Sequence, residues 1–227
     1  PKRSGIEKHD GRGASSVFLM NTTTNTTTIN AIVLDVPDAT ASQDFATAAF
    51  ALDDRVRVRT SAAASSGFRG YTLSLIAAQP ADVDAFVETA LAAGARTVKA
   101  PTKSLWGYGA VLEGPDGIIW KLATSSKKNK TPAARHFDDL VVLLGPADVA
   151  ATKEFYVAHG LPVAKSFGKK YVEFEPGAGR VNLALYARRG LLKDAGVSID
   201  NPGIHGLSVV GSGTFTDPDG IVWEQTA

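Results

Sequence analysis

The run Gly114-Pro115-Asp116-Gly117-Ile118-Ile119-Trp120-Lys121 returns later in the chain as Asp217-Pro218-Asp219-Gly220-Ile221-Val222-Trp223-Glu224. A run repeated so closely in one chain means that one supersecondary unit is built twice, which limits the folds available. In each copy proline sets one backbone angle of a tight turn and glycine relieves another, so the segment reads as a turn joining two strands. Side chains alternate along a strand, so Trp120 and Trp223 face one way and Lys121 and Glu224 the other.

The openings of the two halves also correspond. Ile32-Val33-Leu34-Asp35-Val36, followed by Asp38 and Phe45, matches Leu140-Val141-Val142-Leu143-Leu144, followed by Asp148 and Phe155. Each predicts a strand leading into a helix. In the second helix Ala151, Phe155 and Ala158 share a face, Asp148 is the N-cap and Gly160 the stop. Beyond these landmarks the halves diverge. The first continues with strands near residues 55–60 and 71–77, then a helix with Val83, Phe86, Val87, Ala90 and Leu91 on one face, ended by Gly94. Strands near 97–99, 109–113 and 118–123 follow. The second has strands near 163–167, 171–175 and 181–187, a short helical segment near 191–195 and a strand near 205–210. From there Gly211-Ser212-Gly213 leads into the final turn, with no second long helix. The expected division is a flexible N-terminal arm at 1–28, a first half at 29–124, a linker at 125–135 and a second half at 136–227.

At 227 residues, 44% hydrophobic and 21% charged, the chain can bury a sizeable core. Its 24 basic and 23 acidic side chains nearly cancel, so no general field draws nucleic acid or an anionic membrane. Lys127, Lys128 and Lys130 lack interleaved aromatics and read as a solvated linker. The absence of cysteine excludes disulfides, thiolate metal sites and cysteine nucleophiles, and makes a cytoplasmic location the expectation. The apolar run at 17–20 is shorter than a secretory core, and no stretch approaches the roughly 20 apolar residues of a membrane span. The Asn/Thr-rich stretch at 21–28 reads as linker, and the protein is expected to be soluble.

The chain resembles bacterial members of the vicinal-oxygen-chelate superfamily, which holds glyoxalases, bleomycin-resistance proteins and extradiol dioxygenases. The turn Asp217-Pro218-Asp219-Gly220 with Trp223-Glu224 looks like the closing signature of that fold. Leu105-Trp106-Gly107-Tyr108, leading to Gly114-Pro115-Asp116-Gly117, is similar to the equivalent passage in bacterial members. The resemblance covers most of residues 29–227 and implies an α+β fold of repeated βαβββ modules, forming curved mixed sheets around a cleft. The first half then holds a shortened module and a complete one, and the second a complete module and a shortened one. The shortened pieces are expected to complement each other across the chain, placing 29–60 beside 204–227 and leaving no exposed sheet edge.

Metal sites in that superfamily use a residue early in one strand, a residue in the strand opening the next module, and a Glu in the closing strand, with open positions for two substrate oxygens. In the first half the closing position is Lys121, whose ammonium cannot ligate, and Asn30, Ala31 and residues 69–71 offer nothing better, so this half is expected to be metal-free. The second half retains Glu224, His205 and Asp138 or Asp139, of which the set Asp139, His205 and Glu224 is the candidate metal site. One imidazole and two carboxylates suit Mn or Mg better than Zn or Fe(II). Read plainly, Glu224 ends a strand near solvent, His205 is a hydrogen-bonded strand residue and the two aspartates begin a strand. For a ligand, Trp106, Tyr108 and Tyr186, with Tyr171, are candidates to line a cleft, and Arg69, Arg180 and Lys121 candidates to meet an anion. Core packing and surface solvation are the competing readings. His9, His136 and His159 have no evident nucleophile beside them, no Gly-x-Ser-x-Gly elbow occurs, and Gly211-Ser212-Gly213 lacks a phosphate-loop lysine.

The leading expectation is a protein that binds a small aromatic or polyoxygenated molecule in a cleft, with no cofactor and no metal. The alternatives are a divalent-metal lyase or dioxygenase using the second-half site, and an interaction module that keeps only the scaffold and encloses no pocket. Expected partners are a small-molecule ligand and a second copy of the chain, with neither nucleic acid nor membrane.

Overall fold

The computed structural model describes residues 26–62, 68–105, 107–197 and 206–225. Its order is β1 (Ile29–Val36), α1 (Ala39–Phe50), β2 (Val56–Thr60), β3 (Tyr71–Ile76), α2 (Pro80–Ala92), β4 (Arg96–Ser104), β5 (Gly107–Glu113) and β6 (Ile119–Thr124). There follow β7 (Asp139–Leu144), α3 (Val149–Ala158), β8 (Val163–Phe167), β9 (Tyr171–Phe174), β10 (Asn182–Tyr186), α4 (Arg188–Ala195), β11 (Leu207–Gly211), β12 (Phe215–Thr216) and β13 (Val222–Gln225).

These strands make two mixed sheets. The larger has the order β4-β5-β6-β3-β7-β10-β9-β8 and joins the two complete modules. Its seam is the antiparallel pair β3 and β7, in register from Tyr71 opposite Leu144 to Ile76 opposite Asp139. On either side the pattern is the same, with β3 parallel to β6 and β7 parallel to β10. The smaller sheet has the order β12-β13-β11-β1-β2. Here the shortened opening piece meets the shortened closing piece, as expected: β1 runs antiparallel to β11, with Ile32 opposite Val209.

The two repeated turns are closed by the same hydrogen bonds. Gly114 N–H donates to the Ile118 carbonyl at 2.9 Å and Gly117 N–H to that of Gly114 at 2.9 Å. Asp217 N–H donates to the Ile221 carbonyl at 2.9 Å and Gly220 N–H to that of Asp217 at 3.0 Å. Gly117 and Gly220 take φ of 79° and 92°, where a side chain would be strained. Each turn delivers its tryptophan to the core, and Trp120 and Trp223 are 1% and 0% exposed. Trp120 packs on Phe50 of α1 at 4.7 Å between centroids, and Trp223 on Tyr156 of α3 at 5.5 Å.

Three expectations need correction. The sheets are open, not edgeless: β4 and β8 border the large sheet, β2 and β12 the small one. The long edge β4 carries Arg96, Lys99, Pro101 and Lys103, residues that disfavour pairing with another chain. Leu91 is 42% exposed and does not join the buried face of α2. In α3 the buried residues are Val149, Thr152 and Tyr156, while Ala151 and Ala158 are exposed. The polar side chains turn inward because the final turn offers them partners: Tyr156 Oη donates to Asp217 at 2.7 Å and Thr152 Oγ1 to Asp219 at 3.2 Å. The connection between the halves is exposed along 127–135 and is also held at its main chain. The buried Gln79 side chain accepts from Lys130 and Thr131 N–H at 2.8 and 3.1 Å and donates to the Thr131 carbonyl at 3.0 Å, while Asp82 accepts from Ala134 N–H at 2.7 Å. The described end of the N-terminal arm is likewise tied down, with Thr27 N–H on the Gly160 carbonyl at 2.9 Å.

Candidate functional site

The large sheet has one face in the core and one turned away from it. Leu73, Trp120, Val142 and Leu183 point into the core. Their neighbours make a cross-strand row on the other face, Val111-Lys121-Ser74-Val141-Asn182, reading across β5, β6, β3, β7 and β10. Lys121 is the one ionisable residue in that row. It sits there because Trp120 beside it must point inward, so strand alternation turns the lysine outward.

Helix α4 lies across this face. Leu191, in its middle, clusters with Leu143 and Ala184, and Ala195, at its C-terminal end, with Val111 and Ile119. The helix therefore crosses the β3–β7 seam. Gly190 lets it come close, since a Cβ there would stand 2.8 Å from the ring of Tyr186. At the start of the helix, Arg188 Nε donates to the Gly145 carbonyl at 2.7 Å. At the end Gly196 turns left-handed, with φ of 72°, and Lys99 Nζ donates to the Lys193 carbonyl at 2.8 Å. A cation there also favours the helix dipole. One residue before the end of the helix, Asp194 forms an ion pair with Lys121.

Two cavities remain around α4. One, of about 260 Å³, is walled mostly by small and apolar side chains such as Ile76, Val141 and Leu143, with Tyr171 and Tyr186 at one side. The other, of about 420 Å³, is more polar, with Thr102, Ser104, Tyr108 and Thr124. Lys121, Ala123 and Asp194 line both, so the ion pair partitions a single trough. The rings of Tyr171 and Tyr186 meet edge to face at 6.2 Å. Tyr108 Oη donates to Asp84 at 2.7 Å, and burial together with that carboxylate pushes its phenol pKa up to about 12. The Tyr171 phenol is raised to about 12 by burial and by Glu173. Both phenols are therefore neutral hydrogen-bonding groups at physiological pH.

The sequence-derived candidates thus fall in different places. Tyr108 and Tyr186 stand in the trough, one in each cavity. Trp106 and His205 lie outside the described residues. Arg69 is buried at 4% exposure between the modules, where it donates to the Asp35 carbonyl at 2.9 Å and the Asp116 carbonyl at 2.8 Å. Arg180 is paired with Asp53 and Asp54 at 2.9 and 2.6 Å. Asp139 is exposed in the large sheet and accepts from Asn182 Nδ2 at 3.1 Å. Glu224 is exposed in the small sheet, opposite Val210, in the field of Arg59. That guanidinium is held charged chiefly by its bond to Asp35, at 2.8 Å. Sequence reasoning missed Lys99, Ser74 and Asp194. The alternation that turns Lys121 outward applies equally to Ser74, but nothing local ties Asp194 to either.

A divalent ion needs several oxygen or imidazole donors converging on one point. The row Lys121-Ser74-Val141 presents an ammonium, one hydroxyl and an apolar side chain, and the one carboxylate lining the trough, Asp194, is paired with Lys121. Among the described residues no three His, Asp or Glu side chains gather at metal-binding spacing, and no helix is long and apolar enough to cross a membrane.

A family profile described as Glyoxalase/Bleomycin resistance protein/Dioxygenase superfamily matches residues 7–122. Among solved structures, a variant of glyoxalase I from Zea mays superposes with a TM-score of 0.56 at 12% identity, covering 88% of this chain and 92% of that one. A putative dioxygenase from Bacillus subtilis does so with a TM-score of 0.55 at 11% identity, covering 88% and 84%. At such identities the likeness concerns the fold. No curated protein sequence matches this chain.

Proposed function

The chain belongs to the Glyoxalase/Bleomycin resistance protein/Dioxygenase superfamily, and from that premise we propose that it binds a small aromatic or polyoxygenated molecule, without a metal ion, in the trough beneath α4. The observation that carries this reading is the pair of cavities, of about 260 and 420 Å³, that meet at Lys121 and Asp194. Ligand sites are concave and mostly apolar, with a few placed polar groups, and a dry cavity of about 150 Å³ already accepts benzene. The smaller cavity has room for one substituted ring against Tyr171 and Tyr186. The larger supplies the hydroxyls of Thr102, Ser104 and Tyr108 for oxygen substituents.

The test is a titration of the purified chain with phenol, catechol and benzamide, followed by ligand-observed NMR, before and after chelator treatment. Binding is expected for at least one probe, unchanged by the chelator and lost in Ala123→Trp, which fills the wall common to both cavities. Binding that requires added Mn or Mg, and disappears in His205→Ala and Glu224→Ala, would instead establish the metal-dependent lyase or dioxygenase reading. Asp139→Asn then asks whether that residue takes part.

A further inference from the structure

We infer that the trough selects an aromatic carboxylate, and that Asp194 of α4 occupies the anion position until such a ligand displaces it. This rests on the reading of the trough as a ligand site and adds the charge of what it takes. The charged residues lining the two cavities are Lys99, Lys121 and Asp194. With the Asp194 carboxylate turned away, two ammonium groups stand over a floor of serine, alanine and valine, which is the electrostatic complement of a small anion.

The geometry also says which partner moves. The Lys121 side chain is 19% exposed and rises from a central strand, held between Val111 and Ser74. The Asp194 side chain is 43% exposed and lies on an eight-residue helix. A lysine held among packed strands keeps its charge where it is, whereas a half-exposed carboxylate can swing to water. Taking one partner from a partly buried ion pair leaves the other charge poorly solvated, so Lys121 gains from any anion that follows Asp194 into place. The aromatic preference comes from the walls. A carboxylate bound at Lys121 directs the rest of its molecule into the smaller cavity, between Ala123, Val141 and Leu143 and toward the rings of Tyr171 and Tyr186. An aliphatic acid would forgo the ring contacts there. Lys99 stands at the other side of the pair, with its ammonium on the last carbonyls of α4, and it can turn to the same anion.

Benzoate and benzamide have nearly the same shape and differ in charge, so their comparison isolates the inference. In calorimetric titrations of the full chain, benzoate is expected to bind more tightly than benzamide. Asp194→Asn should tighten benzoate by about three- to tenfold, the range for a partly exposed charge pair, and leave benzamide within about twofold. Lys121→Met should abolish the preference while benzamide still binds, and Lys121→Arg should restore it. NMR of the lysine ammonium groups in the unaltered chain gives the same answer without a substitution: Lys121 shifts with benzoate and not with benzamide. If benzamide binds and benzoate has no advantage in either the native chain or Asp194→Asn, the inference is overturned and the reading of the trough stands. If neither probe binds, nor phenol or catechol, the reading itself fails and the inference falls with it.

Discussion

Arg69 joins pieces of main chain that belong to different modules. Its guanidinium donates to the Asp35 carbonyl at the end of β1 and to the Asp116 carbonyl in the first repeated turn. Arg69→Met preserves the aliphatic stem and removes both donors, leaving the two carbonyls short of partners. A loss of roughly 2 to 4 kcal/mol in stability is expected, measured by urea denaturation. A loss within about 0.5 kcal/mol, as for an ordinary surface change, would show that the clamp is inert. A second prediction at this scale concerns the tyrosines. Burial raises the phenols of Tyr71, Tyr108 and Tyr171 to about 12, with Asp84 adding to the effect at Tyr108 and Glu173 at Tyr171. In the unfolded chain they titrate near about 10. Between those values the unfolded state has released protons that the folded state retains, so the stability these phenols contribute is complete below pH 10 and is lost as pH rises through 12. Phenolate absorbance and far-ultraviolet circular dichroism, followed together, should change late and in concert. Phenolate formed fully near pH 10 with the helices intact would contradict this.

Among the elements, α1 ends on Ala51 with φ of 51°, the left-handed conformation that glycine adopts without strain. Ala51→Gly is expected to raise stability by about 0.5 to 1 kcal/mol, read as an upward shift of the thermal midpoint. Element by element, the legible parts of the fold are those whose determinants are local. The repeated turns, the opposite facing of each tryptophan and the residue after it, and the N-cap Asp148 follow from turn chemistry, strand period and capping, and the structure has them, with Asp38 capping α1 in the same way. The face of α3 was not legible, because alanine and phenylalanine at helical spacing look like a core stripe while Thr152 and Tyr156 look like surface. What buries those two is a pair of carboxylates, Asp219 and Asp217, that arrive from the far end of the fold. The candidate site divides the same way. The outward turn of Lys121 follows from Trp120 next to it, whereas Asp194 has no signature until the path of α4 brings it over β6.

At the scale of the molecule, the strand map makes the two halves of the chain dependent on each other. The small sheet takes β1 and β2 from one half and β11 to β13 from the other, and the seam of the large sheet does the same with β3 and β7. Separate polypeptides covering residues 1–124 and 125–227 should therefore each lack native near-ultraviolet circular dichroism, and mixing them should restore it. A cooperative thermal transition in either fragment alone would show that a half suffices. The pairing of β1 with β11 also has a meaning in time. During synthesis the apolar face of β1 has no antiparallel partner until residues 207–211 have been made, which at about 5 to 20 residues per second takes on the order of 10 to 40 s. For that interval the nascent chain presents an unpaired strand edge to the cell. Its yield in vivo should then track translation speed and chaperone supply more closely than the stability of the finished protein.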